Sequence, residues 1–130
     1  MKKKIAILGS TGSIGKTLIN IIKRDKKNFQ VVLLTANKNY NELYKQSKFL
    51  NVKNLIITDF KSFNLLRKKI KNNKIKIFNN YKSFKKIFKK RIDYTMSSIS
   101  GLDGLEPTLN IINKTKIIAI ANKESIICGW

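Results

Sequence analysis

Short apolar runs alternate regularly with segments whose apolar residues recur at helical spacing. Ile5-Ala6-Ile7-Leu8 is an unbroken apolar run, the pattern of a strand buried on both faces of a sheet. Ile14, Leu18, Ile21 and Ile22 follow at i, i+4, i+7 and i+8, which predicts a helix with that face toward the core and an end near residues 24–27. Val31 to Thr35 reads as a second strand. Asn39 and Glu42 have capping-box spacing and open a helix through Leu43 and Tyr44, whose Lys45 and Lys48 suit its C-terminal half. Leu55–Ile57, Ile75–Phe78 and Tyr94–Met96 are predicted as further strands. Phe63, Leu66 and Ile70 mark one intervening helix, and Phe84, Ile87 and Phe88 another. Glu106-Pro107 opens a last helix carrying Leu109, Ile111 and Ile112, and Ile117 to Ala121 is a final buried strand. Six strands alternating with about six helices predict an α/β fold, a doubly wound and mostly parallel sheet.

Length and composition narrow this further. A chain of 130 residues without linker or repeat is expected to form one domain with a real core. One Pro, six Gly and 42% hydrophobic residues are a poor match to collagen-like or disordered sequences. The net charge of +21 invites a nucleic-acid reading, because thirteen Lys or Arg and no acid lie between Asp59 and Asp93, with Phe60, Phe63, Phe78, Tyr81, Phe84 and Phe88 interleaved. The weaker reading of that charge fits better: the excess is almost all Lys, accompanied by Asn and Ile, as a coding bias toward A and T produces, and the aromatics fall at core-facing positions. No nucleic-acid partner is therefore expected. Cys128 is the sole cysteine, no uncharged run of about 18 apolar residues occurs, and the start Met1-Lys2-Lys3-Lys4 leads only into a short apolar stretch ending at Gly9. A reducing, cytoplasmic setting without membrane contact follows as the expectation.

The chemistry lies in the first connection. Gly9-Ser10-Thr11-Gly12-Ser13-Ile14-Gly15 sits between a strand and a helix, where glycines make a tight turn, admit a pyrophosphate to bare backbone and let helix and strand pack closely. The N–H groups of Thr11, Gly12, Ser13 and Ile14 are the candidate phosphate donors. The spacing is G-x-x-G-x-x-G. Gly15-Lys16-Thr17 suggests a P-loop, but the first glycine of that motif would fall on Ser10. The turn thus indicates a dinucleotide and a Rossmann-like domain. An NAD site usually places an acid at the end of the second strand, about twenty residues on. Here the chain reads Thr35-Ala36-Asn37-Lys38-Asn39, with no acid and one cation, so a 2'-phosphate and hence NADP is favoured, on Asn37, Lys38 and Asn39.

Two later segments, Ser98 to Thr108 and Ala121-Asn122-Lys123-Glu124-Ser125, each follow a predicted strand at the edge where such sheets bind ligands, though a capped helix start explains either one alone. Together with the Gly9–Gly15 loop and the Ala36–Asn39 turn, and in that order, they resemble the 1-deoxy-D-xylulose 5-phosphate reductoisomerase family, from Lys4 to Gly129. The resemblance implies NADPH contacts at Thr11, Gly12, Ser13, Ile14, Asn37, Lys38, Asn39, Asn122 and Glu124, and a contact of Lys123 with the sugar-phosphate substrate. Asn37 departs from the glycine often found there, and Ser98 from a small apolar residue. The resemblance further implies a longer, homodimeric protein using Mg2+ or Mn2+. Residues 1–130 are then most of the NADPH-binding domain, with the metal ligands and a C-terminal helical domain lying later and the break inside a helix begun near Glu124. The seven acids show no clustering fit for a divalent ion, and there is no histidine, so these residues alone are expected to be inactive. Strand Ile117 to Ala121 is expected to be poorly covered on one side.

Three rival readings are a short-chain dehydrogenase, on the formal match Tyr81-x-x-x-Lys85, a nucleic-acid-binding module, and a noncatalytic NADP sensor.

Overall fold

The computed structural model describes residues 2–71, 74–99 and 101–121. Six strands, β1 (Lys3–Leu8), β2 (Phe29–Ala36), β3 (Asn54–Ile57), β4 (Lys76–Phe78), β5 (Ile92–Ser97) and β6 (Thr115–Ile120), form one sheet in the order β4-β3-β2-β1-β5-β6. Every pairing is parallel. Among the described residues five α-helices accompany it: α1 (Ser13–Lys23), α2 (Tyr40–Leu50), α3 (Phe60–Lys69), the single turn α4 (Phe84–Ile87) and α5 (Leu105–Ile111). The predicted doubly wound α/β sheet is therefore the observed one.

The chain runs outward from β1 to β4, then crosses back to β5 on the other side of β1, so the order reverses between β1 and β5. Right-handed crossovers put the helices of the two halves on opposite faces. Alternation along β1 sorts the core accordingly. Ile5 and Ile7 pack with Ile19 and Ile22 of α1, Leu43 of α2 and Leu66 of α3. Ala6 and Leu8 pack with Phe84, Phe88 and Ile111. The buried stretches Ile5–Leu8 of β1 and Leu55–Ile57 of β3 explain the unbroken apolar runs.

The helix faces differ from the expectation in places. In α1 the buried residues are Gly15, Ile19 and Ile22, while Ile14 and Ile21 are 48% and 58% exposed. The stripe is rotated because the glycine, which carries no apolar signal, packs against the turn after β1. In α5 only Ile111 of the three predicted apolar residues is buried; Leu109 and Ile112 are exposed, and Pro107 and Thr108 face inward instead. Phe84 and Phe88 are core residues as expected, but Phe60 is 67% exposed. Their burial removes two of the stacking platforms that a nucleic-acid surface would need.

Ile117 of β6 is 59% exposed and, with Leu18, Ile21 and Tyr94, lines an open apolar trough of about 440 Å³ on the α1 side of the sheet. Among the described residues no helix is long and apolar enough to cross a membrane.

Candidate functional site

Because all strands are parallel, the segments after β1, β2, β3 and β5 gather at one edge, and the Gly9–Gly15 turn occupies it where the strand order reverses. The three glycines do different work. Gly9 has φ +78°, a conformation that L side chains rarely adopt, and a Cβ there would also meet the Ile99 N at 3.1 Å. Gly15 faces the turn itself: a Cβ would lie 2.4 Å from the Gly9 O and 2.6 Å from the Ser10 Cα, both backbone atoms. Gly12 is under neither constraint. Its φ of −79° suits any residue, and a Cβ would meet only the Gly9 O, at an ordinary 3.7 Å. The fold needs Gly9 and Gly15; Gly12 is left for whatever approaches the backbone from outside, as in dinucleotide turns generally.

Among α1, α2 and α3, which pack on one face of the sheet, the helix starts make the same distinction. Asn39 caps α2 by accepting from the Glu42 N–H at 3.2 Å, and Asp59 caps α3 by accepting from the Ser62 N–H at 3.0 Å and the Ser62 hydroxyl at 2.7 Å. α1 begins at Gly12 with no side-chain cap and no acid in its first turn. Its leading N–H groups, on exposed Ser13 and Ile14, have no acceptor within the helix and carry the positive end of the helix dipole. Such an uncapped helix start can receive an anion, and it falls on the G-x-x-G-x-x-G segment.

Several polar residues that apolar patterning does not single out hold the turn. Thr35 at the end of β2 accepts from the Gly9 N–H on its Oγ1 and from the Ser10 N–H on its carbonyl, both at 2.9 Å. Ser98, after β5, donates its hydroxyl to the Leu8 O at 2.8 Å and lies 3.2 Å from the Gly9 O. Gln46 of α2 is bonded to Ser10. Thr35 and Gln46 are buried, and all three lie far along the chain from the turn.

Asn37, Lys38 and Asn39 are exposed and lie beside the glycine turn, since β2 neighbours β1. Asn37 already accepts from the Thr58 hydroxyl at 2.8 Å, and its carbonyl accepts from the Asp59 N–H at 3.0 Å. The second strand carries no acid at its end, but the fold brings one from β3: Asp59. Its carboxyl is held below the usual Asp value, chiefly by the two Ser62 hydrogen bonds and further by the positive charges of Lys38 and Lys61. Asp59 is thus spent on capping α3, and Lys38 is the exposed cation at this edge position.

Ser97 and Thr108 share a 2.6 Å hydroxyl bond that ties β5 to α5, and Gly101–Gly104 form a 3-10 turn leading into that helix. Asn122, Lys123 and Glu124 lie outside the described residues. The short-chain dehydrogenase reading fails on geometry. Tyr81 sits in a 3-10 turn, packed on Phe84 at 5.7 Å, and burial pushes its hydroxyl up, opposite to what a catalytic tyrosine needs. Lys85 is exposed on the one-turn α4.

Sheet order, switch point and glycine turn define a domain of the Rossmann-like α/β class. Residues 5–129 match the family model of 1-deoxy-D-xylulose 5-phosphate reductoisomerase, and the chain belongs to that family. It is 63% identical to the reductoisomerase of Pelagibacter ubique (strain HTCC1062), over 98% of this chain and 34% of that protein, and 40% identical to that of Buchnera aphidicola subsp. Schizaphis graminum (strain Sg), over 98% and 33%. Among solved structures it resembles the reductoisomerase of Zymomonas mobilis in complex with NADPH, with a TM-score of 0.87, 33% identity and coverage of 98% and 34%. A reductoisomerase in complex with NADPH, fosmidomycin and magnesium matches with a TM-score of 0.86, 25% identity and coverage of 96% and 31%. The chain spans about a third of the length of the curated relatives it matches.

Proposed function

We propose that this chain is the NADPH-binding part of an enzyme that rearranges 1-deoxy-D-xylulose 5-phosphate and reduces it to 2-C-methyl-D-erythritol 4-phosphate, a step toward isoprenoid precursors. The observation that carries the reading is Gly12, a glycine that the fold does not require, at an uncapped helix start on the switch point of the sheet of a reductoisomerase relative. The backbone N–H groups of Thr11, Ser13 and Ile14 hold the pyrophosphate, together with that of Gly12, which in this structure donates to the Gly9 O at 3.3 Å. Lys38, flanked by the amides of Asn37 and Asn39, neutralises the 2'-phosphate. Asn122 and Glu124 complete the cofactor contacts, and Lys123 orients the anionic sugar phosphate.

The bound nicotinamide supplies a hydride. The chain's own residues would position the cofactor: the turn would hold the pyrophosphate and Lys38 the adenosine end. A divalent ion is a different matter. The described residues contain no group of three metal-binding side chains, so Mg2+ or Mn2+ finds no fit there and no step is assigned to it here. The metal ligands belong to other parts of the proposed homodimeric, cytoplasmic protein.

The test is NADPH oxidation with 1-deoxy-D-xylulose 5-phosphate and Mn2+, comparing residues 1–130 with the chain extended to the length of its relatives. Turnover is expected from the extended protein alone. A well-folded extended protein without activity overturns the assignment, and turnover by residues 1–130 overturns the division of labour.

A further inference from the structure

We propose that Gln46 is a positioning residue for the cofactor turn: it aims the Thr11 N–H by holding the other end of the same peptide plane. The inference rests on the reading that a dinucleotide pyrophosphate lies against Thr11 to Ile14. Gln46, on α2, is 4% exposed and Ser10 is fully buried. The Gln46 Nε2 donates to the Ser10 carbonyl at 3.0 Å, and the Gln46 Oε1 accepts from the Ser10 hydroxyl at 2.7 Å. The orientation of the amide is fixed, because a carbonyl only accepts. Both ends of one buried side chain are therefore committed to one residue of the turn, 36 positions away.

The Ser10 carbonyl and the Thr11 N–H belong to one planar trans peptide and point in opposite directions. Drawing the carbonyl toward α2 turns the N–H away from it. The Ser10 N–H is meanwhile fixed by the Thr35 carbonyl at 2.9 Å, so every polar atom of Ser10 is engaged. The other side of Ser10 is closed by α1, since a Cβ at Gly15 would come within 2.6 Å of the Ser10 Cα. With Gly9 in its positive-φ conformation on one side and exposed Gly12 on the other, the Ser10–Thr11 peptide rotates once its carbonyl loses the Gln46 donor.

The experiment uses the protein extended to the length of its relatives, with Gln46→Met, which keeps the volume and removes donor and acceptor. Dissociation constants are measured for NADPH and for adenosine 2'-phosphate, which probes the Lys38 end and lacks the pyrophosphate, alongside KM for NADPH and kcat. The expected result is an NADPH affinity about tenfold weaker, the KM rising with it, while kcat and adenosine 2'-phosphate affinity change less than about twofold. Equal losses for both ligands, or a lower melting temperature with unchanged NADPH affinity, overturn the proposal and make Gln46 a packing residue only. Should Gln46→Met fail to fold, Gln46→Glu at pH 8, which keeps the acceptor and removes the donor, is read by the same ratio. Gly12→Val separates the two layers: if it binds NADPH normally, the dinucleotide reading itself fails, whatever Gln46 does.

Discussion

Replacing Gly15 by Ala tests whether the turn and α1 are in contact through bare backbone. In the interior of an ordinary helix this change stabilises by about 0.5–1 kcal/mol, because Ala has the better helix propensity. Here the new methyl would stand 2.4 Å from the Gly9 O and within 2.7 Å of the Ser10 Cα and carbonyl carbon. None of these is the loose end of a side chain. Ser10 cannot retreat without breaking its bonds to Gln46 and Thr35, and Gly9 is held by Thr35 and Ser98. Overpacking of this kind costs typically about 1–3 kcal/mol, so the net effect is a loss of roughly 1–2 kcal/mol. That corresponds to a melting temperature lower by about 4–8 °C if these residues melt as their own unit, and by about 1–3 °C if a protein of the relatives' length melts as one. Gly12→Val provides the contrast. It has room and a suitable φ, and costs only about 1 kcal/mol as a poorer helix cap, yet its side chain fills the approach to the backbone donors. Melting curves without ligand and NADPH titrations, on the protein extended to its relatives' length, should show Gly15→Ala failing chiefly in stability and Gly12→Val chiefly in binding. A Gly15→Ala protein that melts higher than its parent would refute the close approach of turn and helix.

Two further outcomes follow from the neighbouring strand ends. Lys38→Glu should weaken NADPH binding by tenfold or more while changing NADH binding little, because it puts a second carboxylate beside Asp59 against the 2'-phosphate; equal losses in paired titrations would remove Lys38 from the pocket. Asp59, whose folded pKa is lowered, contributes stability that is present above its ordinary value near 3.8 and is lost as pH falls through the lower folded value. Asp59→Asn should therefore be less stable than the parent at pH 7 and show a flatter acid limb between about pH 5 and 2, followed by far-UV circular dichroism; an unchanged limb would mean that the Ser62 bonds carry no protonation linkage.

The sheet was legible because the central strands of a parallel sheet are apolar on both faces, so most of β1, β2 and β3 stands out as runs. The turn was legible because its glycines sit between two such elements. The face of α1 was not, since its buried side begins at Gly15, which a search for apolar spacing passes over in favour of exposed Ile14. Thr35, Gln46 and Ser98 were hidden for a related reason: buried polar residues that serve a turn leave no periodic mark, and their partners become known only once β2, α2 and β5 are placed. Likewise no reading of the end of β2 shows that Asp59, from β3, arrives beside Lys38. Asn39 was doubly readable, as cap and as cofactor contact, and its side-chain oxygen serves the cap.

The hydroxyl of Ser98 reaches back across 90 residues to Leu8. On the ribosome, where residues are added at about 5–20 per second, the glycine turn and its nearest helix are made roughly 5–20 seconds before the residue that closes the turn from the far side. During that interval the first strand has β2 as a possible neighbour but not β5, and the Leu8 carbonyl has neither the backbone nor the side-chain donor it ends with. A nascent β1-α1-β2 unit therefore holds the motif without the hydrogen bonds that β5 and Ser98 supply, and the turn is completed only when the second half of the sheet docks.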